Sequence, residues 1–163
     1  MLKVRLNHQI KAPSLRVISE DGKQIVYSHT KGGLPYMDDS YIANIDGSNI
    51  INLTNSPATW EEHANFKPEA KSFAFISSRA DVSWKAPSSK VDTLKTELYF
   101  QDEKGVVRQL TNFNETGDAG IRYLVSDFDW DKEGKRIVFQ ATPVNVKTGS
   151  AGSPSVWILM LNK

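Results

Sequence analysis

Hydrophobic and polar positions alternate along most of the chain in short runs, with the period of two that is typical of a β-strand with one buried face. Gly, Pro, Asn and Asp separate the runs, and no segment keeps a 3.6-residue apolar period over three helical turns. The pattern predicts an all-β chain. The run at 156–161, VWILML, is apolar at six successive positions, which is typical of a strand buried on both faces.

The predicted strands recur as an internal repeat built around a tight turn that ends in lysine. Three segments carry the same pattern, SLRVISEDGKQIVYSH at 14–29, HANFKPEAKSFAFISS at 63–78 and DFDWDKEGKRIVFQAT at 127–142, and they align on the lysine that ends the turn. A second pattern follows the first two copies, SYIANIDGSNIINLTNS at 40–56 and ELYFQDEKGVVRQLTNF at 97–113. In the middle copy Ala70 replaces the turn glycine, so we expect strain there if that residue needs a positive φ.

One repeat therefore comprises four antiparallel strands, A to D, which is the composition of a propeller blade. The 163 residues are interpreted as one domain with blades at approximately 14–56, 57–113 and 114–163. The third copy ends after strand C. Residues 3–8, KVRLNH, have the pattern of a strand D that no blade precedes.

The turn D/E-G-K before I-V-F/Y, the segment L-Y-x-x-D-x-x-G and the ending L-T-N together resemble the WD-like repeat of TolB-type β-propellers, over residues 14–163. The resemblance implies a non-catalytic scaffold that binds a protein or a small ligand. The turns SEDG, KPEA and DKEG depart from the Ser-Pro-Asp-Gly of that family. A second, local resemblance covers LNHQIKAPSLRVISEDGKQ at 6–24, which is similar to the start of the third bacterial translation initiation factor; an amphipathic helix should then follow.

Propellers usually have about four to eight blades, and many close the ring by completing one blade with strands from both chain ends. Three blades are too few. We therefore predict a head-to-tail homodimer of six blades, in which residues 3–8 of one copy pair with 156–161 of the other. The alternative is that residues 1–12 form a tail and the chain is a piece of a larger propeller.

The predicted B–C and D–A loops are long and converge on one face of the propeller, where binding residues commonly lie. Trp, Tyr and Arg together are typical of protein interfaces. Alternatively, Trp60 and Trp84 pack beneath their own loops. The candidate ligand-binding or partner-binding residues on this long-loop face are Tyr36, Trp60, Glu61, Glu62, His63, Arg79, Trp84, Arg122 and Tyr123.

The alternative function is a carbohydrate-active or metal-assisted enzyme, lyase-like or hydrolase-like, that uses the central channel. His63 begins an inner strand and, with Glu61, Glu62 and Asp127, could contribute to a metal or acid site. The resemblance implies that related lyases hold a divalent metal with several channel histidines, and this chain offers one. We therefore predict no catalytic residue, metal or cofactor.

The amino-acid composition limits the classes of binding partner and the cellular compartments that we expect for this protein. The net charge of +1 comes from scattered Lys and Arg, which does not favour a nucleic-acid surface. Cysteine is absent, so disulfides and thiolate metal sites are excluded. No membrane span or signal peptide is predicted. We expect a cytoplasmic protein, or a periplasmic one if the chain is a fragment of a TolB-like protein.

Overall fold

The computed structural model describes residues 17–30, 37–56, 58–85 and 91–161. These residues form eleven strands in three antiparallel sheets, with one 3-10 helix and one short α-helix, so the all-β prediction is confirmed. None of the described helices is long and apolar enough to cross a membrane. The elements are β1 Val17–Ile18, β2 Gln24–Thr30, β3 Asp38–Asn44, β4 Ile51–Asn52, β5 Glu61–Phe66, β6 Phe73–Ser77, the 3-10 helix Val91–Thr93, β7 Glu97–Gln101, β8 Val107–Gln109, α1 Phe113–Thr116, β9 Ile121–Trp130, β10 Arg136–Asn145 and β11 Ser155–Met160.

The sheets follow the repeat. The first sheet has the order β1-β2-β3-β4 and the second has β5-β6-β7-β8, while the third contains β9-β10-β11. β2 stands where the resemblance to the initiation factor requires a helix, so the structure gives that resemblance no support. Residues 3–8, predicted to form the missing strand D, lie outside the described residues.

The turns between the first two strands of each sheet need one residue with positive φ. Gly22 and Gly134 supply it in the first and third sheets, with φ of 69° and 62°. In the second sheet the positive φ falls on Glu69, at 57°, and not on Ala70. Pro68 fixes the position before it, as in a type II turn, and Ala70 N donates to Lys67 O. The strain is therefore present but lies one residue earlier than predicted.

Apolar side chains pack the sheets against each other in two layers. Between the first and second sheets lie Val26, Ala64, Phe73, Phe75 and Tyr99. The larger layer joins the second and third sheets, through Ala74, Ile76, Leu98, Val125, Trp130, Ile137, Phe139 and Ala141. Alternate residues of β6 thus face opposite layers, as the period of a strand requires.

The Leu-Thr-Asn endings of the first two repeats hold the fourth strand to the third. Thr111 Oγ1 donates to the buried Glu97 Oε2 at 2.6 Å and accepts from Leu98 N at 2.9 Å. Thr54 Oγ1 likewise donates to the buried Asp39 at 3.3 Å and accepts from Ser40 N. We call this arrangement the threonine–carboxylate lock.

The third sheet lacks the lock. In each sheet the second strand pairs with the third, and three aligned residues of the second strands are His29, Ser77 and Ala141. Their partners on the third strands are Asp39, Glu97 and Ser155. A serine thus stands where the other two sheets have a buried carboxylate.

Strand β11 pairs with β10 through six residues and has no neighbour on its other side among the described residues. The prediction that the run at 156–161 is buried on both faces is wrong for the single chain. Leu159 and Leu161 pack against the layer below, while Val156, Ile158 and Met160 are exposed. Nothing in the described part of the chain covers the second face.

Candidate functional site

Two of the inner strands carry a bulge at the same position of the repeat. In β5 the pairing with β6 shifts between Glu62 and Asn65, and in β9 it leaves Asp127 without a partner on β10. His63 and Asp127 are the aligned first residues of their repeats, and both have left-handed backbones, with φ of 57° and 35°. Bulges of this kind redirect a side chain, and backbone strain in a residue other than glycine is characteristic of functional sites.

The bulges bring three side chains together, which we call the inner-strand site: Glu62, His63 and Asp127. His63 Nε2 lies 3.7 Å from Asp127 Oδ1, and His63 Nδ1 lies 3.9 Å from Glu62 Oε2. Both distances are too long for a hydrogen bond, and His63 Nδ1 is buried without a hydrogen-bond partner. A cavity of about 100 Å³ opens beside His63 and Asp127.

Burial sets the protonation of this site. Burial raises the pKa of Glu62 to about 7, and the nearby negative charge of Asp38 adds to the effect. Burial also lowers the pKa of His63, against the opposing influence of Asp127. His63 is therefore neutral at pH 7, while Glu62 is partly protonated. Asp38, which accepts a hydrogen bond from Thr30 Oγ1 at 2.6 Å, is a member of this environment that the sequence pattern did not indicate.

No group of three or more His, Cys, Asp or Glu side chains in the described part of the chain could hold a metal ion. Glu61, which the sequence grouped with His63, points away into the protein. It is fully buried, pairs with Arg79 and accepts hydrogen bonds from Ser56, Thr59 and Ser77 through the same oxygen. The enzyme alternative therefore stays a prediction without a described metal centre.

Arg79 has a packing role as well. Its guanidinium lies 5.0 Å from the ring centre of Phe75 and 5.3 Å from that of Tyr99. A guanidinium between aromatic faces and a buried carboxylate is well desolvated and well oriented. Glu61 and Arg79 thus fix the long-loop end of the second sheet.

The two candidate tryptophans differ from the exposed anchors of an interface. Trp84 is buried and packs against Leu94. Trp60 is partly buried; it packs against Trp84 and Leu94 and also against the apolar layer between the second and third sheets. The sequence alternative that they pack beneath their loops matches this placement. Glu61, Glu62, Arg122 and Tyr123 were assigned to loops but lie in β5 and β9, because both strands begin earlier than predicted.

Of the remaining candidates, Arg122 borders a cleft of about 330 Å³ on the long-loop face, to which Trp84 also contributes. Arg122 is buried there and donates to Leu94 O, and Lys95 lies 3.6 Å from Asp81 across the opening. Tyr123 packs its ring against Phe113, with centres 5.2 Å apart. Tyr36 lies outside the described residues. A larger cavity of about 820 Å³ lies on the opposite face, between the turns that contain Glu20 and Glu69.

The fold has counterparts among solved structures. The crystal structure of TolB from Acinetobacter baumannii superposes with a TM-score of 0.56 at 18% identity, over 85% of this chain and 31% of TolB. The fold is of the TolB type. A protein assigned as TolB from Agrobacterium tumefaciens gives a TM-score of 0.56 at 14% identity, over 96% of this chain and 61% of that protein.

A further match with the TolB-type fold is a protein assigned as a conserved lipoprotein from Clostridium novyi NT, with a TM-score of 0.64 at 12% identity over 97% of this chain and 92% of that one. No protein-family profile matches the sequence, and no curated protein matches it. At these identities the likeness is one of fold, and this chain spans about a third of the length of the Acinetobacter TolB.

Proposed function

We propose that the chain is a non-catalytic propeller scaffold that binds a protein partner, and that a second copy completes its ring. The observation that carries the proposal is the outer face of the third sheet, the exposed residues Val138, Val156, Ile158 and Met160. The TolB-type fold supports the scaffold, and each of the three sheets lies within one of the three sequence repeats.

The repeat shows what this face is suited to contact. Val138 aligns with Val26 and Ala74, which are fully buried against the next sheet, but it is 42% exposed. Val156 aligns with Leu98, which has no exposed surface, and is 69% exposed. Positions that bury apolar surface against a following blade are therefore uncovered here, and burying such surface is favourable by roughly 25 cal/mol per Å².

The unpaired edge of β11 indicates how the third sheet would gain a fourth strand. In the other two sheets the third strand pairs with a fourth, β3 with β4 and β7 with β8. Residues 3–8 have the pattern of that fourth strand, so we infer that they pair with 156–161 of a second copy. Two copies then form a closed ring of six blades, and the exposed strand edge disappears.

Light scattering coupled to size-exclusion chromatography tests the assembly. We expect a dimer for the wild-type chain and a monomer for Leu6→Pro, because proline removes a ladder donor from the proposed strand. Lys11→Pro, outside residues 3–8, is the matched control and should remain dimeric. A well-folded wild-type monomer at every protein concentration would contradict the six-blade proposal.

The proposed partner site is the long-loop face around the 330 Å³ cleft, which is lined by the charged groups Asp81, Asp92, Lys95, Asp118 and Arg122 and by the buried Trp84. A photo-crosslinking amino acid at Lys95 should capture a partner protein saturably, and one at Lys71, on the opposite face, should not. The captured protein is then purified and its binding to Lys95→Glu is measured. Equal capture at both positions would contradict this placement.

A further inference from the structure

We propose that Arg122, buried beside the cleft of about 330 Å³ on the long-loop face, binds a carboxylate of the partner protein, either its C-terminal carboxylate or that of an acidic side chain. The inference rests on the proposed function, because it assigns a chemistry to the proposed partner site. It is independent of the proposed dimer.

The first argument is that the guanidinium of Arg122 has no counter-ion. Among the described arginines, Arg79, Arg108 and Arg136 each pair with a carboxylate. Arg122 forms no such pair with a described residue, although it is the buried one of the four, with 7% of its surface exposed. A buried charge is unfavourable unless a counter-charge or hydrogen bonds compensate it.

The second argument is the number of donors that remain available. A guanidinium has five N–H donors and no acceptor. Towards the described residues Arg122 donates from Nη1 alone, to Leu94 O. No nitrogen of Arg122 is among the fully buried side-chain atoms that lack a hydrogen-bond partner in this part of the chain, so Nε and Nη2 keep accessible surface. A carboxylate can accept from both nitrogens at once, as one planar fork meeting another.

The third argument is where those donors lie. Leu94, whose carbonyl binds Nη1, stands between Thr93 and Lys95, and both of these residues line the cleft. Asp92, which also lines it, acts electrostatically on the guanidinium. The charged end of Arg122 therefore lies at the cleft, where a ligand can reach Nε and Nη2.

The pKa of Arg122 agrees with an incompletely compensated charge. Burial lowers this pKa, and the negative charge of Asp92 opposes the effect. Asp92 is exposed and forms no ion pair with Arg122, so solvent screens much of its influence. A ligand carboxylate in direct contact would compensate the guanidinium more fully.

The other charges of the cleft select a single carboxylate among anions. Lys95 supplies a second cation, but it already lies 3.6 Å from Asp81. Asp92 and Asp118 are exposed beside the cleft and would repel a dianion such as phosphate. A volume of about 330 Å³ is at the small end of ligand sites, so the cleft suits one chain end or one side chain.

NMR of the arginine Nε–H groups in the wild-type chain tests the proposal. Titration with sodium acetate at neutral pH should shift the Arg122 resonance saturably, because the carboxylate accepts from Nε. Acetamide, which has a similar shape and no charge, and sodium chloride at equal ionic strength should leave the resonance in place. Arg79 and Arg136, which already pair with carboxylates, are the internal references, and Arg122→Lys confirms the assignment by removing the resonance.

The absence of a saturable shift with acetate would overturn the proposal, and so would an equal response to acetamide. Asp92→Asn removes a repulsive charge from an exposed position and should tighten the acetate affinity several-fold. Asp46→Asn is the matched control, because Asp46 is exposed in the turn between β3 and β4 on the opposite face. Equal acetate affinities in the two variants would contradict a site at the cleft.

Further titrations identify the source of the carboxylate. Tighter binding of N-acetyl-alanine than of N-acetyl-aspartate methylamide would assign the site to a C-terminal carboxylate, and the reverse order would assign it to an acidic side chain. Tighter binding of inorganic phosphate than of either would overturn the assignment to a carboxylate.

The outcomes also separate this inference from the proposed function. Capture of a partner at Lys95 without acetate binding would refute the carboxylate site and leave the partner site in place. Saturable acetate binding without any captured protein would retain the carboxylate site and overturn its assignment to a protein partner.

Discussion

Glu69 occupies a backbone conformation that favours glycine, because its φ is 57°. We predict that Glu69→Gly stabilises the protein by about 0.5–1 kcal/mol, since removing Cβ relieves the left-handed strain by more than the added freedom of the unfolded chain costs. Urea denaturation should show a higher midpoint with an unchanged slope. Glu69 N, which donates to Glu20, keeps that bond in the variant.

The matched control for this change is Glu133→Gly, at the aligned position of the third turn. The described residues with positive φ include Gly134 but not Glu133, so the same substitution there should not stabilise. Equal gains in both variants would show that the φ of Glu69 is not the cause.

Glu62 predicts how stability depends on pH. Its pKa rises from an ordinary value of 4.5 to about 7 in the folded protein, so the folded state binds more protons than the unfolded state between those values. Stability is then fully present below about pH 4.5 and is lost as pH rises through 7, by on the order of 2–3 kcal/mol. The difference in free energy of unfolding between wild type and Glu62→Gln should follow this profile, and a flat difference would contradict the burial of Glu62.

At the scale of elements, the threonine–carboxylate lock explains the repeated Leu-Thr-Asn ending. Thr111→Val keeps the volume and removes a donor from buried Glu97 and an acceptor from Leu98 N. We predict a loss of roughly 1–3 kcal/mol in the free energy of unfolding. Thr116→Val is the control, because its exposed hydroxyl donates only to Asn112 O, and its stability should change little.

The sequence predicted the elements well where local chemistry decides them. The lysine-closed turns, the order of the strands and the shortened third repeat all follow from turn residues and a period of two. The burial of the last strand could not be predicted from the sequence. An apolar run indicates which surface is favourable to bury, but it does not show whether the same chain covers that surface.

The inner-strand site was predicted only in part. His63 and Asp127 were recognised as aligned strand starts, but an alignment does not show a bulge, since the extra residue becomes visible only in the pairing with the next strand. Glu61 and Glu62 are adjacent in sequence and have opposite fates, one in a buried ion pair and one beside His63. Where β5 and β9 begin was also missed, because polar residues interrupt the alternation in both.

At the scale of the whole molecule, the proposed dimer couples assembly to stability. If two copies complete each other, the folded dimer is favoured by mass action, and the melting temperature should rise with protein concentration. Ile158→Asp places a charge on the outer face and should abolish this dependence. Val82→Asp, at a position that is 77% exposed in a loop, should retain it, and a melting temperature independent of concentration in wild type would contradict the coupling.

Ser155 gives the open edge of β11 a distinct character. A strand that docks there meets a neutral hydroxyl where the other sheets present a buried carboxylate. Its attachment then depends on backbone hydrogen bonds and apolar contact, neither of which titrates between pH 5 and 8 or is screened strongly by salt. Two copies should therefore exchange at a rate that changes little between low and physiological ionic strength, although the first two sheets hold their own fourth strands through buried carboxyl groups.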